Sequence, residues 1–321
     1  MDTNNKSDTN YDSQNTIKKY NSLIGELYID ATCDVGFKKL MSNEEILVDF
    51  LNTFLPKRTP KITSATLLPE EMLGDLINKK KVFFDVRAKD ESGRTYIIEV
   101  QRKPQEFFVK RSVYYISREL SSQGKAGELK EYEVLPIYSI SVLNFIPHNE
   151  AWNKYYYNVF TMKRDGTNEE LGDVLTQIYI ILPLMKLDPE KLRDRKAKWC
   201  YLLRYAVELN KEMICKLKWT EERIFEKMKK ILETSRLTEE EKKMIDRVQQ
   251  IEWDYEAYMS EKTRQATEEG LEEGLEKGLK KGLILAAKGM LAKKLDIKLI
   301  AECVNLPESK IQELKASMEE Q

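Results

Sequence analysis

Three polar side chains interrupt two neighbouring apolar segments in the first third of the chain. Asp85 lies in the first segment, and Glu99 and Gln101 lie in the second. Two carboxylates brought together can hold a hard divalent cation such as Mg²⁺, because these ions prefer oxygen ligands. Without a cation or a shared proton, two carboxylates a few ångströms apart repel each other. Gln101 can donate to or accept from a water or a phosphate, but its amide does not titrate and cannot act as a base.

The two apolar segments predict a β-hairpin. β-Branched and aromatic residues dominate positions 82–86 and 95–100, and a polar turn containing Gly93 separates them. Residues directly opposite each other in such a pair share a face of the sheet. The register of the hairpin therefore decides whether the acids meet.

Loop length sets that register. An even loop, such as 90–93, pairs Asp85 with Ile98, whereas an odd loop over 90–94, or a bulge at Gly93, pairs Asp85 with Glu99. We predict the odd loop or the bulge. Glu99 and Gln101 then point the same way as Asp85, and four apolar side chains remain for a core: Phe84, Val86, Ile98 and Val100.

A simpler interpretation of the two acids is a solvated hairpin face. In that case Asp85 and Glu99 lie near Arg87 and Arg94 and form ordinary surface ion pairs, each contributing about 0 to 1 kcal/mol. Both interpretations use the same hairpin, so the choice between them depends on burial and on the neighbouring elements.

With its flanking segments, the hairpin resembles the PD-(D/E)XK nuclease superfamily, and in particular its Rpn branch of recombination-promoting nucleases, also described as transposases. Asp85 matches the motif's Asp and Glu99 its Glu, while Gln101 stands where Lys is usual and where this branch commonly has Gln. Three further segments follow the family's order and spacing: DVGFKKL at 34–40, EEILVDFLNTFL at 44–55 and FFVKRSVYYISREL at 107–120. The resemblance covers roughly residues 26–190 and extends to the Gly-Leu repeat after residue 268.

The resemblance implies a Mg²⁺-dependent DNA endonuclease, for which Mn²⁺ is a second candidate ion, that hydrolyses phosphodiester bonds and promotes recombination. Asp85, Glu99 and the carbonyl of Val100 would hold the metal, with Gln101 beside them. Asp34 or Glu44 would supply a third carboxylate. Two lysines near the motifs are candidates for stabilising the charged phosphate: Lys38 and Lys103. Two other classes stay open: an inactive nuclease fold that serves as a DNA-binding or recombination accessory module, and a structural oligomer built on the Gly-Leu repeat.

Two arginines in the segment 107–122 are candidate DNA contacts. Arg111, Tyr114, Tyr115 and Arg118 recur at helical spacings of three and four, so they share much of one helix face. Such a face suits either a stripe that follows phosphates or tyrosines packed on a sheet. We expect packing for Tyr115 and DNA contact for Arg111.

The order of the elements predicts an α/β fold with a restriction-endonuclease-like mixed β-sheet core flanked by helices, followed by an all-helical C-terminal region. Helical spacing covers 37–55, with Ser42 as a candidate cap, and 107–122; residues 134–145 and 155–161 read as strands and 174–184 as a helix. We divide the chain into five parts: a disordered tail 1–25, a nuclease-like domain 26–190, a helical extension 191–267, a Gly/Leu-repeat helix or hinge 268–283, and a small helix-turn-helix-like tail 284–321.

The repeat 268–283 places Gly and Leu in every fourth position. Each glycine costs a helix about 0.8 to 1 kcal/mol relative to alanine, so four of them mark a hinge or a surface where backbones approach closely. The leucine stripe and a charge gradient from acidic to basic favour a helix, which would be a linker or a contact in a homo-oligomer. The tail that follows can bind DNA or only cap and oligomerise.

Composition narrows the remaining classes. The chain has 321 residues and a net charge of −1 although 33% of its residues are charged, so a basic DNA-binding surface must be local. Its 4 cysteines are scattered and it has 1 histidine, which argues against a zinc site.

Residues 1–21 lack the apolar centre of a signal peptide, and the most apolar run, 174–185, falls short of the ~20 residues that span a bilayer. We expect a cytoplasmic protein.

Overall fold

A computed structural model describes residues 22–69, 71–72, 82–105, 107–124, 134–147, 152–185 and 188–319. The predicted tail 1–25 thus lies almost wholly outside the described residues, and Leu23, at its end, is buried in the core. The chain forms two compact units, Met1–Gln249 and Gln250–Gln321. Among the described residues, every helix is too short or too polar to cross a membrane.

A six-stranded mixed sheet forms the centre of the first unit, as predicted. Its strand order is β1-β4-β5-β6-β8-β7. The strands are β1 (Ala65–Leu68), β4 (Val86–Asp90), β5 (Thr95–Gln101), β6 (Ile137–Leu143), β7 (Tyr157–Thr161) and β8 (Leu175–Ile181). β5, β6 and β8 are parallel, whereas β1 and β4 on one side and β7 on the other run antiparallel to their neighbours. Two short strands, β2 (Glu71–Met72) and β3 (Val82–Phe83), pair separately.

The prediction of a helix over residues 174–184 is wrong. Residues Leu175–Ile181 form β8, and only Leu182–Leu184 make a short 3₁₀ turn. β8 pairs in parallel with β6 and is largely buried. A parallel strand covered on both faces reads as a continuous apolar run, so periodicity alone does not distinguish it from a buried helix.

The helical segment 37–55 consists of two helices, α1 (Asp34–Met41) and α2 (Glu44–Phe54). Ser42 ends α1, and its hydroxyl donates to the carbonyl of Lys38. The cap of α2 is Asn43, whose side chain accepts from the N–H of Ile46 at 3.3 Å. The predicted cap was therefore one residue too early.

The main core lies on one face of the sheet. Val86, Ile98 and Val100 pack there with α1 and α2 and with side chains such as Trp199 and Phe225. Trp199 belongs to α4 (Arg195–Tyr205) and Phe225 to α6 (Arg223–Leu232), and the short α5 (Lys211–Lys216) lies between them in the chain. The part of the predicted helical extension that these helices form thus lies against the same core as the strands.

In the described part of the chain, one helix, α3 (Phe108–Ser122), covers the opposite face of the sheet. Its Ile116 is buried with Ile97 and Ile137, and Phe84 joins this cluster. We expected Phe84 to lie in the core with Val86, but the chain bends between β3 and β4 and turns the ring towards α3 instead. This face of the sheet also carries the candidate acids.

Three helices make up the C-terminal part: α7 (Glu239–Ala292), α8 (Ile297–Val304) and α9 (Glu308–Glu319). The Gly-Leu repeat is helical, as its leucine stripe indicated, and residues 284–292 continue α7 without forming a separate helix. Asp296 caps α8, and Asn305 ends it in the left-handed region with φ of +50°. A small cluster that includes Ala287, Ile300 and Ile311 holds the second unit together.

Candidate metal centre

The turn of the hairpin creates the predicted register. The carboxylate of Asp90 accepts from the N–H groups of Ser92 (2.9 Å) and Arg94 (3.0 Å), and Gly93 adopts φ of +84°, a conformation that glycine reaches without strain. The odd loop over 90–94 leaves Val86 opposite Ile98. The next position along the hairpin is Asp85 opposite Glu99, so the prediction of an odd loop is confirmed.

Backbone hydrogen bonds hold the two acids together. Asp85 immediately precedes β4, and its Oδ2 accepts from the N–H of Val100 at 2.7 Å. The N–H of Asp85 in turn donates to the carboxylate of Glu99. Each acid is therefore anchored to the strand that carries the other.

Burial makes this pair electrostatically unstable when both acids are charged. Glu99 is only 6% exposed, and Asp85 is half-buried. Burial raises the pKa of Asp85 to about 6, and burial together with the charge of Asp85 raises the pKa of Glu99 to about 8. Among the atoms that the structure describes, Glu99 Oε1 has no hydrogen-bond partner. A buried oxygen without a partner, beside a second carboxylate, fits a cation-binding site.

The carbonyl of Val100 points towards the same place. Thr95 donates to the carbonyl of Pro136, and the carbonyl of Gln101 accepts from Asn144, so the odd-numbered residues of β5 bond to β6. Successive residues of a strand direct their backbone N–H and C=O groups to opposite neighbouring strands. The N–H of Val100 accordingly points to the β4 side. Because the N–H and C=O of one strand residue point to the same side, the Val100 carbonyl lies on the side of Asp85.

Gln101 follows on the same face of β5 as Glu99. Its side-chain amide lies within hydrogen-bonding range of the Glu99 carboxylate and lowers the pKa of that group against the larger effect of burial. The structure therefore brings together Asp85, Glu99, Val100 and Gln101, the four residues predicted at the centre of the site.

Helix α1 supplies two further charges, Asp34 in its first turn and Lys38 one turn later. Lys38 and Asp34 form an ion pair at 3.3 Å. The charge of Asp34 raises the pKa of Asp85 and that of Lys38 lowers it, so both predicted accessory residues lie near the acids. Lys38 and Asp85 also line one small cleft between α1, the end of β1 and the start of β4.

Glu44 lies elsewhere. Its carboxylate accepts from the N–H of Ala65 at 3.3 Å, and Ala65 pairs with Asp90 at the far end of β4. Five residues of extended chain separate Asp90 from Asp85, about 16 Å at ~3.3 Å per residue. In addition, no group of three or more His, Cys, Asp and Glu side chains in the described ranges is arranged to hold a metal ion. A cation here would have two carboxylates and a carbonyl from the protein.

Helix α3 places Arg111 and Tyr115 beside the acids. The Arg111 guanidinium lies 5.4 Å from the ring centre of Phe108 and 5.8 Å from that of Tyr115, and its charge lowers the pKa of both carboxylates. Tyr115 packs edge-on against Phe84, with ring centres 5.7 Å apart. The prediction that Tyr115 packs is confirmed, but its pKa, raised by burial, also responds to the charges of Glu99 and Asp85. The sequence analysis did not predict that Tyr115 lies near the two acids. The only signal for it was the spacing of four residues between Tyr115 and Arg111 along the helix.

Arg118 lies two turns further along α3, about 10 Å from Arg111 by helix geometry. The next residue, Glu119, is buried and binds Arg87 through two hydrogen bonds of 2.8 Å. Arg94 binds Asp90 in the turn at 2.6 Å. Both arginines that could have made Asp85 and Glu99 an ordinary surface pair therefore have other acidic partners.

A family model described as PD-(D/E)XK nuclease family transposase matches residues 31–262. No curated protein and no solved structure shows a significant match to the chain. The matched segment contains the hairpin, α1 and α3, and it continues past residue 190 through α4, α5 and α6. It covers well over half of the 321 residues, so the chain belongs to the PD-(D/E)XK nuclease family of transposases.

Proposed function

We propose that the protein is a Mg²⁺-dependent DNA endonuclease that hydrolyses phosphodiester bonds and promotes recombination. The observation that carries the proposal is the buried pair of Asp85 and Glu99, with Glu99 Oε1 left without a partner among the described atoms. Two carboxylates and the Val100 carbonyl form an all-oxygen donor set, which suits Mg²⁺, with Mn²⁺ as an alternative ion.

A bound Mg²⁺ would lower the pKa of a water and neutralise charge that develops on the phosphate. The residues of the chain prepare the site for this. Asp85 and Glu99 are oriented by backbone donors from each other's strands, so their oxygens are fixed before a ligand arrives. Gln101, which does not titrate, would hold a water or a phosphate oxygen by hydrogen bonding.

Lys38 and Arg111 would bind the DNA phosphates at this site. Their charges act on Asp85 from two different elements, α1 and α3. Arg118 lies further along α3 and would contact the DNA backbone beyond the cleaved bond. A cytoplasmic location fits a DNA substrate and stays a prediction.

Cleavage of supercoiled plasmid tests the proposal. We expect wild-type protein to cleave with Mg²⁺ or Mn²⁺ and not with EDTA, and Asp85→Asn and Glu99→Gln to lower the rate by at least about 100-fold, because each removes a ligand charge. Glu44→Gln is the matched control and should keep wild-type activity, since Glu44 lies at the other end of β4. Asp34→Asn should lower the rate less than the two ligand variants.

A thermal shift in Mg²⁺ checks metal binding independently of cleavage, because an ion that binds only the folded state raises its melting temperature. The shift should vanish in Asp85→Asn and Glu99→Gln. Cleavage that survives in both variants contradicts the assignment of the site. DNA binding without cleavage in any ion would instead favour the inactive accessory module.

The proposal extends to self-association through α7. Leu271, Leu275 and Leu279 are 65–67% exposed along one side of this helix. Four glycines accompany them, and an added Cβ at any of the four would meet nothing within 4 Å: Gly270, Gly274, Gly278 and Gly282. A second copy of the helix would cover this stripe.

A further inference from the structure

A second cavity opens on the face of the sheet that carries the acids, on the other side of α3. Its volume is about 230 Å³, and its walls include Val109 of α3, Trp152, Phe160 of β7, and Gln177 and Tyr179 of β8. Pockets for drug-sized ligands measure about 300 to 1,000 Å³. This cavity therefore suits a single small ring system.

The sheet register places the cavity close to the acids. Glu99 pairs with Ser141, and Ser141 pairs with Tyr179. Paired residues share a face, so Tyr179 lies in the same row as Glu99, two strands away, or about 10 Å at ~4.8 Å per strand. Because α3 lies between the acids and the cavity, a DNA strand that joins the two places must pass around the first turn of this helix, over more than this direct distance.

The lining combines aromatic faces with one amide. The ring of Trp152 lies 4.9 Å from that of Tyr179, and Phe160 meets both edge-on at 5.5 and 5.8 Å. The Tyr179 hydroxyl donates to Gln177 Oε1 at 2.8 Å and bonds Ser112 of α3 at 2.9 Å. The hydroxyl groups of Ser112 and Tyr179 thus orient the side-chain amide of Gln177. Aromatic faces stack on bases, and side-chain amides read base edges.

We infer that this cavity, which we term the base pocket, binds one unpaired nucleobase of the DNA strand whose phosphate lies at Asp85 and Glu99. The inference rests on the proposed function. Arg111, in the first turn of α3, lies 5.4 Å from the ring of Phe108, which meets Tyr179 edge-on at 6.2 Å, and its charge also acts on both acids. A phosphate that links the bound base to the cleaved bond would pass beside it. The lining residues carry no formal charge, which suits a neutral base and not a charged headgroup or side chain.

A short single-stranded oligonucleotide that carries one 2-aminopurine tests this inference in EDTA, where no cleavage occurs. Binding to wild-type protein should quench the 2-aminopurine fluorescence, because the base stacks on aromatic rings. Phe160→Ala should abolish the quenching and weaken binding by about 5- to 150-fold, the range for loss of one stacked base. Gln177→Leu, which keeps the volume, should change the ranking of the four natural bases at that position.

Tyr155→Ala is the matched control, since this aromatic is 66% exposed and is absent from the cavity lining. Circular dichroism and thermal melting verify that each variant is folded. The inference is overturned if an abasic oligonucleotide binds as tightly as the intact one, or if quenching survives in both pocket variants. It is also overturned if the cavity binds an apolar peptide that the oligonucleotide does not displace.

The plasmid assay separates the two proposals. Cleavage by wild-type protein without 2-aminopurine quenching would contradict the base pocket and support the nuclease activity. Quenching without cleavage in any ion supports the base pocket and removes the nuclease activity.

Discussion

Asp85 and Glu99 act as a pair because of where their oxygens are held. An exposed pair of acids on a hairpin would be solvated and would titrate near the ordinary value of about 4. Here Glu99 is buried, Asp85 is half-buried, and each accepts a backbone hydrogen bond from the other's strand. The fold thus holds the two charges close together at a free-energy cost that a bound cation would offset.

This arrangement predicts a pH-dependent stability in the absence of metal. The pKa of Glu99 is raised to about 8 in the folded state, against about 4.3 in an unfolded chain. Between these values the unfolded state releases a proton that the folded state keeps. The free energy of unfolding should therefore fall as the pH rises from about 5 to 8, by up to about 1.4 kcal/mol per pH unit from this group.

Urea denaturation in EDTA at a series of pH values measures this effect. Glu99→Gln should flatten the decline, because the amide does not titrate, whereas the control Glu44→Gln should keep it. Equal slopes for wild type and Glu99→Gln would show that the Glu99 pKa is not raised. Added Mg²⁺ should restore stability most strongly near pH 8, where both acids are ionised.

Helix α3 is the element that carries Arg111 to the acids, and a buried ion pair positions it. Glu119 of α3 binds Arg87 of β4 through two hydrogen bonds, with side-chain exposures of 2% and 15%. Arg87 lies in β4, two residues after Asp85, which immediately precedes this strand. The pair therefore couples the placement of α3 to the start of β4.

We predict that Glu119→Ala lowers the free energy of unfolding by about 3 to 5 kcal/mol, because it leaves Arg87, whose side chain is only 15% exposed, without its partner. Chemical denaturation followed by circular dichroism measures the change. Glu212→Ala is the control, since its pair with Lys216 is exposed, and it should leave stability unchanged. The double variant Arg87→Met with Glu119→Leu should recover much of the loss; no recovery would indicate that packing, and not the unpaired charge, is responsible.

At the scale of the whole molecule, the proposed self-association concerns the Gly-Leu stripe of α7. Replacing Gly270, Gly274, Gly278 and Gly282 with alanine should raise the stability of the helix, by about 0.8 to 1 kcal/mol for each position, because the added methyl groups meet nothing in the chain itself. If two copies approach closely along this stripe, the same four methyl groups should weaken their association.

Sedimentation velocity over a range of concentrations tests this expectation, with thermal melting as the measure of helix stability. Glu272→Ala and Glu276→Ala are controls on the other side of the helix and should leave association unchanged. A wild-type protein that stays monomeric at every concentration, or a glycine variant that associates as strongly as wild type, would contradict self-association through the stripe.

The sequence by itself determined the features that depend on neighbouring residues. Turn residues around Gly93 and the two-residue period of the strands led to the hairpin, and of its two possible registers the one that brings Asp85, Glu99 and Gln101 together was the one predicted and found. The leucine stripe likewise indicated the helix through residues 268–283. These patterns are local, so no knowledge of distant contacts was needed.

Only the tertiary structure decided the features that depend on packing between distant segments. It showed that Asp34 and Lys38 lie near the acids and that Glu44 does not. The reason is that the buried faces of α1 and α2 fix the direction in which the polar residues of each helix point. It also made residues 175–181 a strand, since a buried parallel strand has no alternating pattern. The raised pKa of Glu99 and the base pocket arise in the same way: burial results from elements far apart in the sequence covering one another.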